Sequence, residues 1–276
     1  MDYQIGRHAE EELSRARIQA HQATQWLAAV GVAYIPHRPD DSHTNIGWLP
    51  RVGAWGTDVA DAGLSFRAAL DMAGMRFHIV TPDGRESLAT LDLDGRTFQE
   101  GARWFTEQVT KMGGDLARFT TRLHYEIPAN DYGEGAAFDV APSSAFVELN
   151  DHFLLAREAL TRVAGQHIKE PRIWPHHFDL GILIDLNDGR SIGLGLSPGD
   201  EHYHQPYYYV SPWPYPDDPN VLRQEALIPG GHWHTHNFTA AVLPASEYGG
   251  DVAPLSKVTD FLRSARRACE RILMGS

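Results

Sequence analysis

The sequence predicts an α+β protein of two similar halves, each made of antiparallel strands and hairpins flanked by helices, the two packed as one unit. Three observations carry the prediction. Apolar residues recur at helical spacing in three stretches, and a capping box opens a fourth helix. Two strand pairs are joined by strong turn signals, Thr81-Pro82-Asp83-Gly84 and Asn187-Asp188-Gly189. The order helix, Pro/aromatic loop, hairpin, helix then occurs twice, dividing the chain into residues 1–140 and 141–276, and 276 residues are enough to bury a substantial core.

The elements follow in order. Leu13, Ala16, Ala20, Ala23, Leu27 and Val30 place a helix over residues 8–30, with Gly31 where it should stop. Ala33 to Leu64 mixes Pro, Gly and Asp with Tyr34, Trp48 and Trp55 and reads as an irregular loop. Met75 to Val80 and Leu88 to Leu93 flank the first turn as a hairpin. Thr97-Phe98-Gln99-Glu100 fits a capping box, because the Thr hydroxyl can accept from an orphan amide while Glu reaches back to the cap amide, and a helix should run from there to Gly113. Thr121 to Ile127 alternates as a strand, and Ser143-Ser144 opens a helix whose stripe is Phe146, Leu149, Phe153, Ala156, Leu160 and Val163. Phe178 to Leu186 and Ile192 to Leu196 form the second hairpin, followed by strands at Tyr207 to Val210 and His232 to Leu243. A closing helix puts Val258, Phe261, Leu262, Ala265, Cys269 and Ile272 on one face. Pro206, Pro212, Pro214, Pro216 and Pro219 cannot donate to a ladder, which assigns that segment to a sheet edge or an extended loop.

Composition excludes several roles. A net charge of −12 provides no general field for phosphate backbones or anionic lipid, so neither nucleic acid nor membrane is expected as a partner. The single cysteine, Cys269, allows no intrachain disulfide or thiolate cage and reads as a small buried apolar residue. The N-terminus has no basic and apolar secretion pattern, and no run of 18 apolar residues occurs, so a soluble cytoplasmic location is the expectation. No Gly-x-Ser-x-Gly elbow, Walker-type loop or His-Glu-x-x-His is present.

Chemistry is suggested by 15 histidines, seven of them between His176 and His236. On a strand, His232, His234 and His236 share a face with Phe238, Ala240 and Val242, and that face should look inward. Residues two apart can close onto one ion, so His232 and His234 with His202 and His204 form a candidate metal set, supplemented by Asp179, Asp200 or Glu201 and suited to zinc, iron or manganese. His177 and Asp179 share a strand side, an arrangement for an oriented imidazole, and with His234 they are the candidate acid/base groups. Trp174, Tyr207, Tyr209, Trp213 and Trp233, with His176, are candidate walls of a ligand pocket between the halves.

The runs Ile173-Trp174-Pro175-His176-His177-Phe178-Asp179-Leu180, Gly195 to Asp200, Pro206 to Pro214 and Gly231-His232-Trp233-His234-Thr235 resemble an uncharacterised group of bacterial proteins similar to the domain of unknown function 5996 family, over about residues 140–245. The resemblance implies a cytoplasmic bacterial protein with no assigned activity, cofactor or catalytic residues. It also implies that His176, His177, Asp179 and His234 belong to recurring segments, whereas His202, His204 and His236 are departures of this sequence. The expected function is small-molecule binding through an aromatic and histidine-lined pocket. The alternative is a His/Asp-dependent hydrolase or lyase, with or without a divalent metal such as zinc.

Overall fold

The computed structural model describes residues 3–165 and 170–274. In chain order the elements are α1 (Glu10–Tyr34), β1 (Gly47–Leu49), β2 (Ala54–Gly56), β3 (Ala60–Asp61), β4 (Ser65–Asp71), β5 (Arg76–Val80), β6 (Ser87–Asp92), α2 (Phe98–Lys111), α3 (Ser143–Ala164), β7 (Arg172–Trp174), β8 (Asp179–Asn187), β9 (Arg190–Ser197), β10 (Tyr207–Trp213), α4 (Asn220–Arg223), β11 (His232–His234), β12 (Ala240–Pro244) and α5 (Pro254–Met274). Helices flank two antiparallel sheets, which makes the architecture α+β with two similar halves. The chain separates into two compact units that exchange segments. The first gathers Glu12–Asn150 and Arg172–Phe178, the second Met1–Glu11, Asp151–Pro171 and Asp179–Ser276. The division therefore falls inside α3, and the short piece with Trp174, His176 and His177 belongs with the N-terminal unit.

In the first unit the strands run β1-β2-β4-β5-β6, with β3 paired to β4. The expected hairpin is β5–β6, and β1 to β3 fall in the stretch assigned to loop. At two or three residues each they are too short to show a period. The core is aromatic: Trp26, fully buried, stacks on Phe98 at 4.9 Å and meets Phe77 edge-on at 5.0 Å, while Phe105 contacts both Phe66 and Phe77 at 5.9 Å. The capping box of α2 forms as read, with Glu100 N donating to Thr97 Oγ1 at 3.2 Å and Thr97 N to Glu100 Oε2 at 2.8 Å.

Two expectations in this unit need correction. The first helix does not stop at Gly31 but continues to Tyr34. Gly31 serves another end: a Cβ there would lie 2.7 Å from the His43 carbonyl oxygen and 2.9 Å from Thr44 Cα, so the absent side chain lets the 37–45 loop lie directly on the helix. Residues 121–127 form no strand. Their alternation is real, since Thr121, Leu123, Tyr125 and Ile127 are half-buried and Arg122, His124 and Glu126 exposed, but the chain bends at Thr121, His124 and Tyr125 and has no ladder partner.

In the second unit five strands run β11-β12-β10-β9-β8, with α5 packed on β9, β10 and β12. The β8–β9 turn places Asn187, Asp188 and Gly189 all at positive φ, the conformation those residues tolerate best. Along α5, Val258, Phe261, Leu262, Ala265 and Cys269 are fully buried, and burial pushes the Cys269 thiol up to about 12, so it packs as an inert apolar group. The Pro-rich strand is not at the edge at first: Tyr207 to Val210 pair with both β12 and β9, and only from Ser211 onward does β10 keep β9 alone. Pro212 is tolerated because its neighbour has already ended.

The stretch His232 to Leu243 is a hairpin rather than one strand. β11 pairs with β12 through His232↔Val242 and His234↔Ala240, and the chain reverses through Asn237 at φ 67°. The inward face expected for three histidines is thereby lost: His232 and His236 are exposed and only His234 is half-buried. Among the described residues no helix is long and apolar enough to cross a membrane.

Gly31 generates a test. In an ordinary helix interior Gly→Ala stabilises by about 1 kcal/mol. Gly31→Ala is expected to destabilise by about 1–3 kcal/mol, because the Cβ would meet backbone atoms. Urea unfolding reads the sign directly, and a stabilised variant would refute the close approach.

Candidate functional site

The site of the first unit is organised from α1. Gln25, buried at 4% exposure, donates from Nε2 to the Pro175 carbonyl at 3.1 Å and to the His21 carbonyl at 2.9 Å, and its Oε1 accepts the Tyr125 hydroxyl at 3.0 Å. His21 adds a second donor to Pro175, from Nε2 at 2.8 Å, and stacks on Phe178 at 5.2 Å with the rings 6° from parallel. These bonds hold the turn Pro175–Phe178, closed by Phe178 N donating to Trp174 O at 2.7 Å. Phe178 sits at φ 58°, a strained value for a bulky side chain, and is buried to 1% exposure.

The turn presents His176 and His177 together, with ring centroids 4.3 Å apart; His176 also meets Trp174 and Tyr125 edge-on, each at 5.9 Å. Burial, reinforced by His177, lowers the pKa of His176 to about 4, against the opposing pull of Asp41. His21 is likewise lowered to about 4, chiefly by burial. Burial and the Asp41 charge both raise Tyr125, which keeps its hydroxyl a donor to Gln25.

Beside this turn lies the loop of residues 36–45. His43 is buried and meets His37 edge-on at 4.9 Å, and His124 Nε2 stands 3.0 Å from Asp41 Oδ2. His37, Asp41 and His43 place one potential ligand atom each within 4.8 Å of the others, the one such group of three among the described residues. Burial, with His37 nearby, lowers the pKa of His43. A cleft of about 120 Å³ adjoins the same machinery, lined by Gln22, Gln25, Phe98, Thr121, Leu123, Tyr125 and Ile127.

The second unit holds a different network. His234 Nε2 donates to the His236 carbonyl at 2.5 Å, so as a neutral ring it offers Nδ1 as an acceptor. The Tyr203 hydroxyl donates to that nitrogen at 3.0 Å and accepts from His232 Nε2 at 2.9 Å. Phe238 stacks on His234 at 4.0 Å, and His202 lies 5.6 Å from it. The two imidazoles thus meet through a hydroxyl, and among the described residues His202 and the exposed His204 do not join them in a group of three ligand atoms within 4.8 Å of one another. Of the candidate carboxylates, Asp200 accepts amides of His202 at 2.8 Å and Tyr203 at 3.0 Å and the Tyr207 hydroxyl at 2.6 Å, while Asp179 accepts the Tyr209 hydroxyl. Gly195 makes the latter contact sterically feasible, since a Cβ there would run into the Tyr209 hydroxyl. Glu201 stays exposed, its carboxylate 3.6 Å from His202.

The residues expected to act together are thus distributed. His177 and Asp179 do not alternate along one strand, because Pro175 to Phe178 are a turn and β8 begins at Asp179. His177 is an exposed residue of the first unit, whereas Asp179 and His234 belong to the second. Tyr207 is a buried sheet residue, Trp213 is 56% exposed against Tyr215, and Trp233 donates to the Glu225 carbonyl at 3.1 Å. Trp174 and His176 do meet. The sequence reading missed Gln25, His37, Asp41, His43, His124 and Tyr125; the one linear signal was His37-x3-Asp41-x-His43, hidden in a segment dismissed as loop. No protein-family model, no curated protein and no solved structure matches the chain.

The histidines make the protein acid-sensitive. His21 and His176, lowered to about 4, and the fully buried His152 of the second unit, lowered to about 3 by burial, stay neutral in the fold while the unfolded chain takes up protons below about pH 6.5. Their contribution is complete above that pH and erodes as pH falls toward 4. Between pH 7.5 and 5 the wild type should lose about 2 kcal/mol through His152 alone. His152→Gln should flatten the pH dependence of urea unfolding by that amount, and an unchanged slope would refute the assignment.

Proposed function

We propose that this protein binds a small polar molecule, using the cleft beside the histidine group of the first unit. The observation that carries the reading is that Gln25 and Tyr125 belong to both: they line the cleft, and the same two side chains tie the His176 turn to α1. Gln22, Thr121, Gln25 and Tyr125 supply polar groups, and Phe98, Leu123 and Ile127 an apolar wall, the mixture expected of a ligand site. A volume of about 120 Å³ lies below the range typical of drug-sized ligand sites and favours a smaller ligand.

The aromatic wall expected from Tyr207, Tyr209, Trp213 and Trp233 has no part in this cleft, whereas His176 and Trp174 stand near it through Tyr125. A hydrolase or lyase built on His177, Asp179 and His234 receives less support, because His177 lies in a turn rather than on one strand with Asp179, and Asp179 is engaged by Tyr209. The proposal keeps the bacterial, cytoplasmic setting and the kinship with the domain of unknown function 5996 family, whose Trp-Pro-His-His-Phe segment here supplies His176. The net charge of −12 supports a partner other than nucleic acid.

Thermal shift followed by calorimetry against small carboxylates, amides and amino acids tests the reading. A saturable ligand is expected, weakened about fivefold to tenfold by Tyr125→Phe, the effect of one hydrogen bond, and unaffected by Tyr203→Phe. Absence of any ligand, or sensitivity to Tyr203→Phe alone, would overturn it.

A further inference from the structure

We propose that His37, Asp41 and His43 form a binding site for one divalent transition-metal ion of the zinc type. The three side chains come from a single seven-residue loop and already bring their ligand atoms within 4.8 Å of one another. A tetrahedral ion bonded at about 2.0–2.2 Å needs its ligands roughly 3.4 Å apart. The remaining closure requires only modest rotation of exposed His37 and half-buried Asp41 toward His43, which burial holds in place. The donor set of two imidazoles and one carboxylate suits zinc and its first-row neighbours; calcium and magnesium prefer oxygen alone.

The backbone presents these side chains in a fixed arrangement. Asp41 N donates to Arg38 O at 3.0 Å and Thr44 N to Asp41 O at 2.9 Å, with Asp41 itself at φ 58°. Pro36 and Pro39 stiffen the approach, and Gly31 lets the loop seat on α1. Arg38, the one Lys or Arg of the loop, directs its guanidinium to Asp58 at 3.2 Å and to the Ser42 carbonyl at 3.3 Å, while its amide donates to His43 Nδ1 at 3.4 Å and leaves Nε2 of that ring for an ion. It leaves the Asp41 carboxylate to imidazoles.

A second, independent part of the chain points to the same place. His124, 83 residues further on, reaches Asp41 Oδ2 with Nε2 at 3.0 Å. A fourth nitrogen or oxygen completes a closed zinc site, and three protein ligands leave an open position. His124, already in contact with Asp41, can supply that fourth ligand. The inference stands apart from the cleft: an ion on the loop can bind with the cleft empty, and either reading can fail alone.

The test uses untagged full-length protein, stripped with chelator and titrated with zinc against a chromophoric competitor, with cobalt as a spectroscopic substitute. One equivalent per chain at micromolar affinity or tighter is expected, with cobalt giving the intense visible bands of a low-coordinate site. His37→Ala and Asp41→Asn change exposed or half-buried side chains, so the fold, checked by circular dichroism, should persist while affinity falls at least about tenfold each. The double variant His232→Ala, His234→Ala should bind as the wild type does. Failure to saturate at micromolar zinc, an affinity that survives both loop substitutions, or loss of binding with the His232 and His234 pair would overturn the proposal.

Discussion

The buried carboxamide of Gln25 is the constraint on which the candidate site depends. It joins three stretches far apart in sequence: its own helix, the Pro175 turn and the irregular segment at Tyr125. Leaving a buried donor or acceptor without a partner costs about 1–3 kcal/mol, so none of the three can shift without exposing the other two to that penalty. Both the amide and carbonyl ends are used, which fixes the orientation of the side chain as well as its position. A strained Phe178 and a half-buried His176 persist because this anchorage over-determines the turn.

From that anchor the rest of the site follows by packing. Tyr125, once held by Gln25, carries its neighbour His124 to the Asp41 carboxylate. Gly31, further along the same helix, gives the Asp41 loop a seat with no intervening side chain. The helix that anchors the turn therefore also seats the loop, and imidazoles from two separate segments, His37 and His43 of the loop and His124, gather near the Asp41 carboxylate. The second unit solves part of its polar burden differently, by pairing the hydroxyls of Tyr203, Tyr207 and Tyr209 with imidazoles or aspartates of the same unit.

Local chemistry made much of the fold legible. The capping box at Thr97, the turn at Asn187 to Gly189 and the stripes of α3 and α5 each depend on neighbours within a few residues, and each formed as read. The failures have local causes too. Residues 121–127 alternate because one side faces the unit, and alternation reports burial rather than a ladder partner. His232 to Leu243 looked continuous because the reversal at Asn237 has no Gly or Pro to mark it. The candidate site was the least legible part, since His37, Asp41 and His43 acquire meaning only from the contacts of a loop with Gly31 and His124. Counting histidines drew attention to the segment after His176, where His232 and His234 turn out to be joined by Tyr203.

Diffraction at the zinc absorption edge, from crystals of the untagged protein grown with one equivalent of zinc, tests the central claim most directly. The account predicts one anomalous peak at bonding distance, about 2.0–2.2 Å, from donor atoms of His37, Asp41 and His43. A peak at His232 and His234, or none at the loop, would contradict it.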